Sequence, residues 1–177
     1  MRKLKNSELG RISSEDFKNI KKSPIVLVLD NIRSAMNVGS IFRTADAFLI
    51  EKIYLCGITA IPPNKELMKT ALGANDSVDW EYVGETSAII KRLKIDNHHI
   101  VGVEQTEKAT LLNNFEMPNK KIALIFGNEV FGVNQELIDL CDECIEIPQF
   151  GTKHSLNISV SAGIVIWEIW KNYSKEN

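Results

Sequence analysis

Short, continuous apolar runs separated by helical patterns are the feature that most constrains how this chain can fold. The runs cover residues 25–29, 52–56, 78–83, 99–103, 122–126 and 144–147, and helical patterns lie at 14–20, 38–48, 65–72, 85–93, 134–140 and 156–170. Apolar runs of this length are typical of strands buried on both faces, and strands that alternate with helices form mainly parallel sheets. The pattern therefore predicts an α/β fold with a mainly parallel sheet flanked by helices on both faces.

Positive charge is concentrated at the start of the chain. Residues 1–22 contain seven Lys and Arg against three Asp and Glu, a net charge of +4, whereas the whole chain of 177 residues carries −2. The acidic remainder argues against a protein that coats nucleic acid generally. We predict a basic N-terminal arm at 1–22 and a single main domain at 23–177. Charge alone leaves open whether the arm collects phosphate or is a solvated helix.

The cysteines indicate a reducing compartment. Their number is three, and the chain begins without the apolar segment of a secretory leader, so we expect free thiols and a cytoplasmic protein. Cys141 and Cys144 form one Cys-x-x-Cys pair. No second pair exists, and His98, His99 and His154 lack the spacing of zinc ligands. We therefore interpret the pair as small apolar residues and expect no metal.

The pattern at 156–170 is apolar around most of a helix. A single packed face does not use so many apolar side chains, so such a helix is either deeply buried or shared with another subunit. This segment predicts a homodimer interface.

Three polar loops each follow a predicted strand. In the first, Asn37 stands where a helix cap belongs, Gly39 permits a close approach to the backbone, and Arg43 follows one turn later on the same face as Gly39. By itself, a lone Arg in a helix such as Arg43 is more often a surface or interface residue than part of a site. The other loops contain Gly127, Glu129 and Gly132, and then Gly151, Lys153, His154, Ser155, Asn157 and Ser159.

These loops predict one site. Ligands of open α/β sheets bind at the carboxyl ends of the strands, where the three loops meet. The glycine-rich fingerprint of dinucleotide-binding proteins and the P-loop are both absent, which argues against ordinary NAD and NTP chemistry.

In sequence order, the loops resemble the three motifs of SpoU-type (TrmH-like) RNA ribose methyltransferases of the SPOUT superfamily, over residues 25–170. The matching residues are Asn37, Gly39 and Arg43 in the first motif, Gly127, Glu129 and Gly132 in the second, and Pro148, Ser155, Leu156, Asn157 and Ser159 in the third. Asn128 and Gln149 depart from residues that the family often has there, without removing a proposed catalytic group.

The resemblance implies an α/β fold with a C-terminal trefoil knot, a homodimer with the active site at its interface, and S-adenosylmethionine as cofactor. It implies methyl transfer to the 2′-hydroxyl of an RNA ribose. The implied catalytic residues are Arg43, Asn37, Glu129, Ser155 and Asn157, and the implied cofactor contacts are Gln105, Gly127, Ile147, Ser155 and Leu156. The expected RNA contacts are Arg2, Lys3, Lys5, Arg11, Arg43 and Lys153, although Lys153 is equally compatible with solvent exposure.

A guanidinium is a poor base, so we expect Arg43 to orient the RNA phosphate and the 2′-oxygen. We expect no separate N-terminal RNA-binding domain before residue 23, which resembles the compact tRNA-directed members and makes tRNA the first expected substrate and rRNA the second. Two alternatives stay open. One is an RNA-binding module of the same fold with little turnover; the other is a receiver-like or flavodoxin-like domain, which would need an acidic cluster or an FMN phosphate loop.

Overall fold

The computed structural model describes residues 1–176, so Asn177, the last residue of the predicted domain at 23–177, lies outside it. The strands are β1 (Ser23–Asp30), β2 (Ile50–Cys56), β3 (Trp80–Val83), β4 (His99–Val103), β5 (Thr110–Leu111), β6 (Ile122–Phe126) and β7 (Glu143–Glu146). The α-helices are α1 (Ser14–Asn19), α2 (Ala35–Ala47), α3 (Lys65–Ala71), α4 (Ala74–Ser77), α5 (Thr86–Ile95), α6 (Gln135–Ile138) and α7 (Ile158–Glu176).

The strands form one sheet in the order β3-β2-β1-β6-β4-β7-β5, and all the pairings are parallel. This confirms the predicted α/β fold. The neighbouring strands β1 and β6 are buried on both faces: Leu27 and Leu29 pack into one apolar cluster, while Val26 and Val28 pack into the other. Two-sided burial explains why these strands are continuous apolar runs without polar alternation.

Several elements differ from the sequence prediction. The two-residue strand β5 and the four-residue helix α4 were not predicted, because elements this short carry no periodic pattern. Helix α4 occupies the chain just before residue 78, so β3 begins only at Trp80. The predicted helix at 134–140 shortens to α6.

The prediction that Asn37 caps the helix after β1 is wrong. Helix α2 begins at Ala35, and the side chain of Ser34 accepts a hydrogen bond from the backbone N–H of Asn37 at 3.3 Å. Ser34 is therefore the N-cap residue, and the Asn37 amide is free to make contacts outside the helix.

Helix α7 begins at Ile158, two residues later than predicted, with the Asn157 side chain accepting a hydrogen bond from the backbone N–H of Ser159 at 2.9 Å. One face is buried in the core through Ala162, Val165, Ile166 and Ile169. A second apolar stripe, Val160, Ile164 and Trp167, is 38–50% exposed. In the described part of the chain, no helix is both long enough and apolar enough to cross a membrane.

The N-terminal arm is held to the domain by α1. Phe17 of this helix is only 4% exposed and belongs to the main apolar cluster. Arg2 forms an ion pair with Glu8 at 2.7 Å, which compensates part of the positive charge of the arm.

Candidate active site

A cavity of about 710 Å³ opens at the carboxyl ends of β4, β6 and β7. Its walls come from the chain after each of these strands and from the segment that leads into α7. All five residues expected to contact a cofactor line it, namely Gln105, Gly127, Ile147, Ser155 and Leu156. The size lies within the usual range of small-molecule sites.

A chain of hydrogen bonds joins the three polar loops at the edge of this cavity. The Asn157 amide donates to Oδ1 of Asn37 at 3.2 Å, and the Asn37 amide donates to Oε1 of Glu129 at 3.3 Å. Asn37 is 92 positions from Glu129 and 120 positions from Asn157 in sequence. The arrangement brings together three of the residues expected to be catalytic, one from each motif.

Glu129 also holds the loop between β1 and α2. Its carboxylate accepts hydrogen bonds from the backbone N–H groups of Arg33 at 2.8 Å and Ser34 at 3.0 Å. Burial opposes ionisation, but these hydrogen bonds outweigh it and hold the pKa of Glu129 below its ordinary value. A carboxylate with a lowered pKa is a weak proton acceptor at neutral pH, so the geometry suits Glu129 to positioning.

Two glycines of the motifs permit close backbone packing. A Cβ atom on Gly127 would lie 2.2 Å from the carbonyl carbon of Gly132, so the two ends of the second loop can meet only with glycine at 127. A Cβ on Gly39 would lie 2.1 Å from the carbonyl oxygen of Leu67 in α3. The close approach expected at Gly39 is therefore made by a neighbouring helix, and not by a ligand.

Comparisons with known proteins agree with this arrangement. The model of the SpoU rRNA Methylase family matches residues 24–167. The chain belongs to this family. It is 33% identical over 173 residues to an "Uncharacterized tRNA/rRNA methyltransferase" of Borreliella burgdorferi, covering 94% of this chain and 75% of that protein.

Two further relatives are longer than this SpoU chain. It is 31% identical over 152 residues to the "23S rRNA (guanosine-2'-O-)-methyltransferase RlmB" of Neisseria meningitidis, covering 86% of this chain and 60% of that protein. The crystal structure of an AdoMet-bound rRNA methyltransferase from Sinorhizobium meliloti superposes with a TM-score of 0.79 at 25% identity, covering 88% of this chain and 59% of that one. The chain thus spans about three fifths of the length of these two proteins.

Arg43 is not brought to the cavity of its own SpoU domain. Its side chain is exposed on α2, it does not line the cavity, and it makes no hydrogen bond or ion pair with the part of the chain that the structure describes. It lies six residues after Asn37, which places the two side chains on different sides of the helix. The helix that carries both residues therefore directs only Asn37 toward Glu129.

The other expected RNA contacts lie outside the cavity as well. Lys153 is exposed on the third loop and does not line the cavity, and Lys3, Lys5 and Arg11 are exposed in the N-terminal arm. Ser155 is the one remaining residue expected to be catalytic, and it faces the cavity.

Sequence reasoning missed Glu104, which organises the SpoU cavity from the end of β4. Its carboxylate accepts hydrogen bonds from the backbone N–H groups of Val133 and Gln105, both at 2.8 Å. It also fills the space beside Gly132, where a Cβ would lie 2.1 Å from Oε2. The available signal was the position of an acidic residue directly after a buried strand.

Neither Cys141 nor Cys144 lines the cavity, and both pack against the backbone of β4. A Cβ added to Gly102 would lie 3.0 Å from Sγ of Cys144 and 3.2 Å from Sγ of Cys141. Burial raises the pKa of Cys141 to about 12, so the thiol is protonated at neutral pH. Within residues 1–176, no group of three or more His, Cys, Asp or Glu side chains is arranged to hold a metal ion.

Proposed function

We propose that this protein transfers a methyl group from S-adenosylmethionine to the 2′-hydroxyl of a ribose in structured RNA. The observation that carries the proposal is the hydrogen-bonded chain from Asn157 through Asn37 to Glu129. It unites the three family motifs at the rim of a cavity of suitable size. Membership of the SpoU family supports the reaction class, and the names of the Neisseria and Sinorhizobium proteins support the ribose position and the cofactor.

The charge of the cavity fits this cofactor. Three carboxylates line it, those of Glu104, Glu129 and Glu146, and no Lys or Arg among the described residues does. Such a lining favours a ligand with net positive charge, and S-adenosylmethionine is one, because its sulfonium and ammonium groups outweigh its carboxylate. Gln105, Gly127, Ile147, Ser155 and Leu156 would hold the cofactor, largely through backbone groups. When bound, the cofactor supplies an electrophilic methyl group.

The residues of the chain then act by positioning. Glu129 and Asn37 fix the loop before α2, and Asn157 fixes the segment before α7 against it. A guanidinium is a permanent, planar cation, so Arg43 is suited to hold the RNA phosphate and the 2′-oxygen in line with the methyl group. The 2′-hydroxyl loses its proton as the methyl group is transferred, and we propose that the RNA phosphate held by Arg43 takes part in this deprotonation.

We further propose that the protein works as a homodimer and that Arg43 acts at the interface. Arg43 is exposed outside the cavity of its own chain, whereas the reaction requires a cation near the RNA. The exposed stripe of α7, formed by Val160, Ile164 and Trp167, offers an apolar surface on a helix that packs against α2. Because α7 packs against α2, which carries Arg43, a second copy that covers this stripe would lie beside Arg43.

The RNA target stays a prediction. Transfer RNA is the first expected substrate, and rRNA is the second, favoured by the activity for which the Neisseria relative is named. The protein and methyl-labelled S-adenosylmethionine are incubated with unmodified tRNA in one reaction and with unmodified rRNA in another. Each RNA is then digested, and its nucleosides are identified by mass spectrometry. The expected product is a single 2′-O-methylated nucleoside. Binding of the cofactor without labelling of any RNA would instead favour the module with little turnover.

The variant Arg43→Ala tests whether Arg43 acts on the RNA while the loops hold the cofactor. Because the guanidinium addresses RNA and the loops hold the cofactor, we expect methyl transfer to fall by at least about 100-fold while cofactor affinity by calorimetry changes less than about twofold. Lys91→Ala, which removes an exposed cation from α5, is the matched control and should retain activity. A large loss of cofactor binding in Arg43→Ala would contradict the proposed role.

A further inference from the structure

An exposed aromatic side chain stands at the mouth of the cavity. Phe131 lines the cavity and yet is 80% exposed, and its neighbour Val130 is 60% exposed. Both follow Glu129 directly. An apolar ring this exposed contributes little to the stability of the domain, and its faces are available to a ligand that enters the cavity.

The turn that carries Phe131 is held rigidly. Asn128 and Gly132 exchange backbone hydrogen bonds at 3.0 and 2.8 Å, which closes the turn as an isolated antiparallel bridge. Inside it, Oδ1 of Asn128 accepts from the backbone N–H groups of Val130 at 2.9 Å and Phe131 at 3.2 Å. The Asn128 amide donates to the carbonyl oxygen of Asn31 at 2.8 Å. A preorganised turn loses little entropy when its tip binds a partner.

The electrostatics of the mouth disfavour a phosphate at this point. Glu129 lies within the loop and Glu104, which follows β4, contacts its end at Val133, and both carboxylates accept hydrogen bonds from backbone N–H groups. Negative charge here repels an RNA phosphate. A nucleobase is neutral and has a π-face that stacks on an aromatic ring whatever its sequence.

We infer that Phe131 is the stacking platform for an unpaired nucleobase of the RNA substrate, at or next to the nucleotide whose ribose is methylated. The inference rests on the proposed function, because it assumes that RNA enters this cavity. Its physical basis is that proteins bind the unpaired, splayed-out bases of RNA by stacking them on aromatic side chains, and Phe131 is an exposed aromatic side chain at the cavity. Phe131 lies two residues after Glu129 in sequence, and its exposed ring offers such a stacking surface.

The test uses two short single-stranded oligoribonucleotides of equal charge, one with bases and one abasic, bound to the full chain with saturating S-adenosylhomocysteine. The wild type should bind the oligonucleotide with bases more tightly. Phe131→Ala should weaken that binding by roughly 5- to 150-fold, the range expected when one base–aromatic stack is removed, and leave the abasic affinity unchanged. Phe131→Trp should restore the preference. The slope of log affinity against log salt should stay constant, since the same phosphates are bound in both proteins.

Ile95→Ala is the matched control. Ile95 is 85% exposed at the end of α5, near the amino ends of the strands and thus at the opposite edge of the sheet, so its removal should leave both affinities unchanged. If Phe131→Ala binds the two oligonucleotides as the wild type does, the stacking inference is wrong. A loss of cofactor affinity in Phe131→Ala as large as the loss of RNA affinity would overturn it too, because Phe131 would then cover the cofactor.

Activity measurements distinguish a failure of the proposed methyl transfer from a failure of the stacking proposal. If the wild type methylates RNA but Phe131→Ala does so with an unchanged KM, the proposed function stands and the stacking platform is refuted. If the wild type shows no preference for bases and methylates no RNA, both proposals are refuted.

Discussion

At the scale of single residues, Glu129 contributes both to the stability of the fold and to the geometry of the site. It accepts two backbone hydrogen bonds from the loop before α2 and one from the Asn37 amide. These bonds are made to the ionised form, and they lower the pKa of the carboxyl despite its partial burial. A group with a depressed folded pKa stabilises the protein above its unfolded pKa, and that stabilisation is lost as the pH falls through the folded value.

Glu129→Gln should therefore be less stable than the wild type at neutral pH, by about 1 kcal/mol for a partly exposed group. This difference in the free energy of unfolding should persist down to about pH 4.5, the ordinary pKa of this carboxyl, and shrink at lower pH. Thermal unfolding of both proteins at stepwise lower pH measures this. Glu107→Gln, which changes an exposed glutamate elsewhere, should show no comparable difference. A gap between Glu129→Gln and the wild type that is independent of pH would contradict the argument.

The sequence predicted which residues belong to the site better than it predicted how they meet. Glu129 and Asn157 stand out as polar residues after buried strands, and both lie at the cavity. The capping role expected of Asn37 belongs to Ser34, three residues earlier, because sequence patterns locate helix ends only within a few residues. The contact from Glu104 to Val133 depends on which strands are neighbours, and no local pattern carries that information.

At the scale of elements, the long strands were predictable and the short elements were not. Strands such as β1 and β6 are buried on both faces, and this burial requires only an uninterrupted run of apolar residues, which is visible in the sequence. Strand β5 has two residues and exists only because β7 lies beside it. Tertiary contacts therefore decide such elements, and the sequence pattern alone does not.

Helix α7 carries the element-scale prediction. Its stripe of Val160, Ile164 and Trp167 repeats with helical spacing and is 38–50% exposed. Trp167 already packs with Phe48 and Trp170, at ring distances of 5.8 Å each, so the stripe is anchored to the core. A second copy would cover it.

Ile164→Lys should convert a dimer into a monomer at micromolar concentration, because a dimer would have to bury an unpaired charge. Sedimentation velocity measures the change, and thermal unfolding checks that the monomer remains folded. Ile95→Lys, which alters an exposed isoleucine at the end of α5, should stay dimeric. A wild-type protein that sediments as a monomer would contradict the dimer itself.

At the scale of the whole molecule, charge is divided between the arm and the body. The domain at 23–177 is acidic, and three carboxylates line its cavity. Its RNA affinity must then come from local cations, and the arm at 1–22 holds the largest concentration of them. Among these cations, Arg2 is bound to Glu8 in an ion pair, whereas Lys3, Lys5 and Arg11 are exposed, and Arg11 also attracts the carboxylate of Asp46.

Replacing Lys3, Lys5 and Arg11 together by Gln should weaken RNA binding and flatten its salt dependence, by up to ~0.7 to 0.9 in the log–log slope for each phosphate that is no longer neutralised. Arg2→Gln should have a smaller effect, because its charge is already compensated by Glu8. Filter binding of tRNA and rRNA over a salt series measures both slopes, and cofactor affinity should be unchanged in each variant. If the triple variant keeps the wild-type affinity and slope, the arm is a solvated helix, and the RNA is held by Arg43, Lys153 and the loops of the dimer.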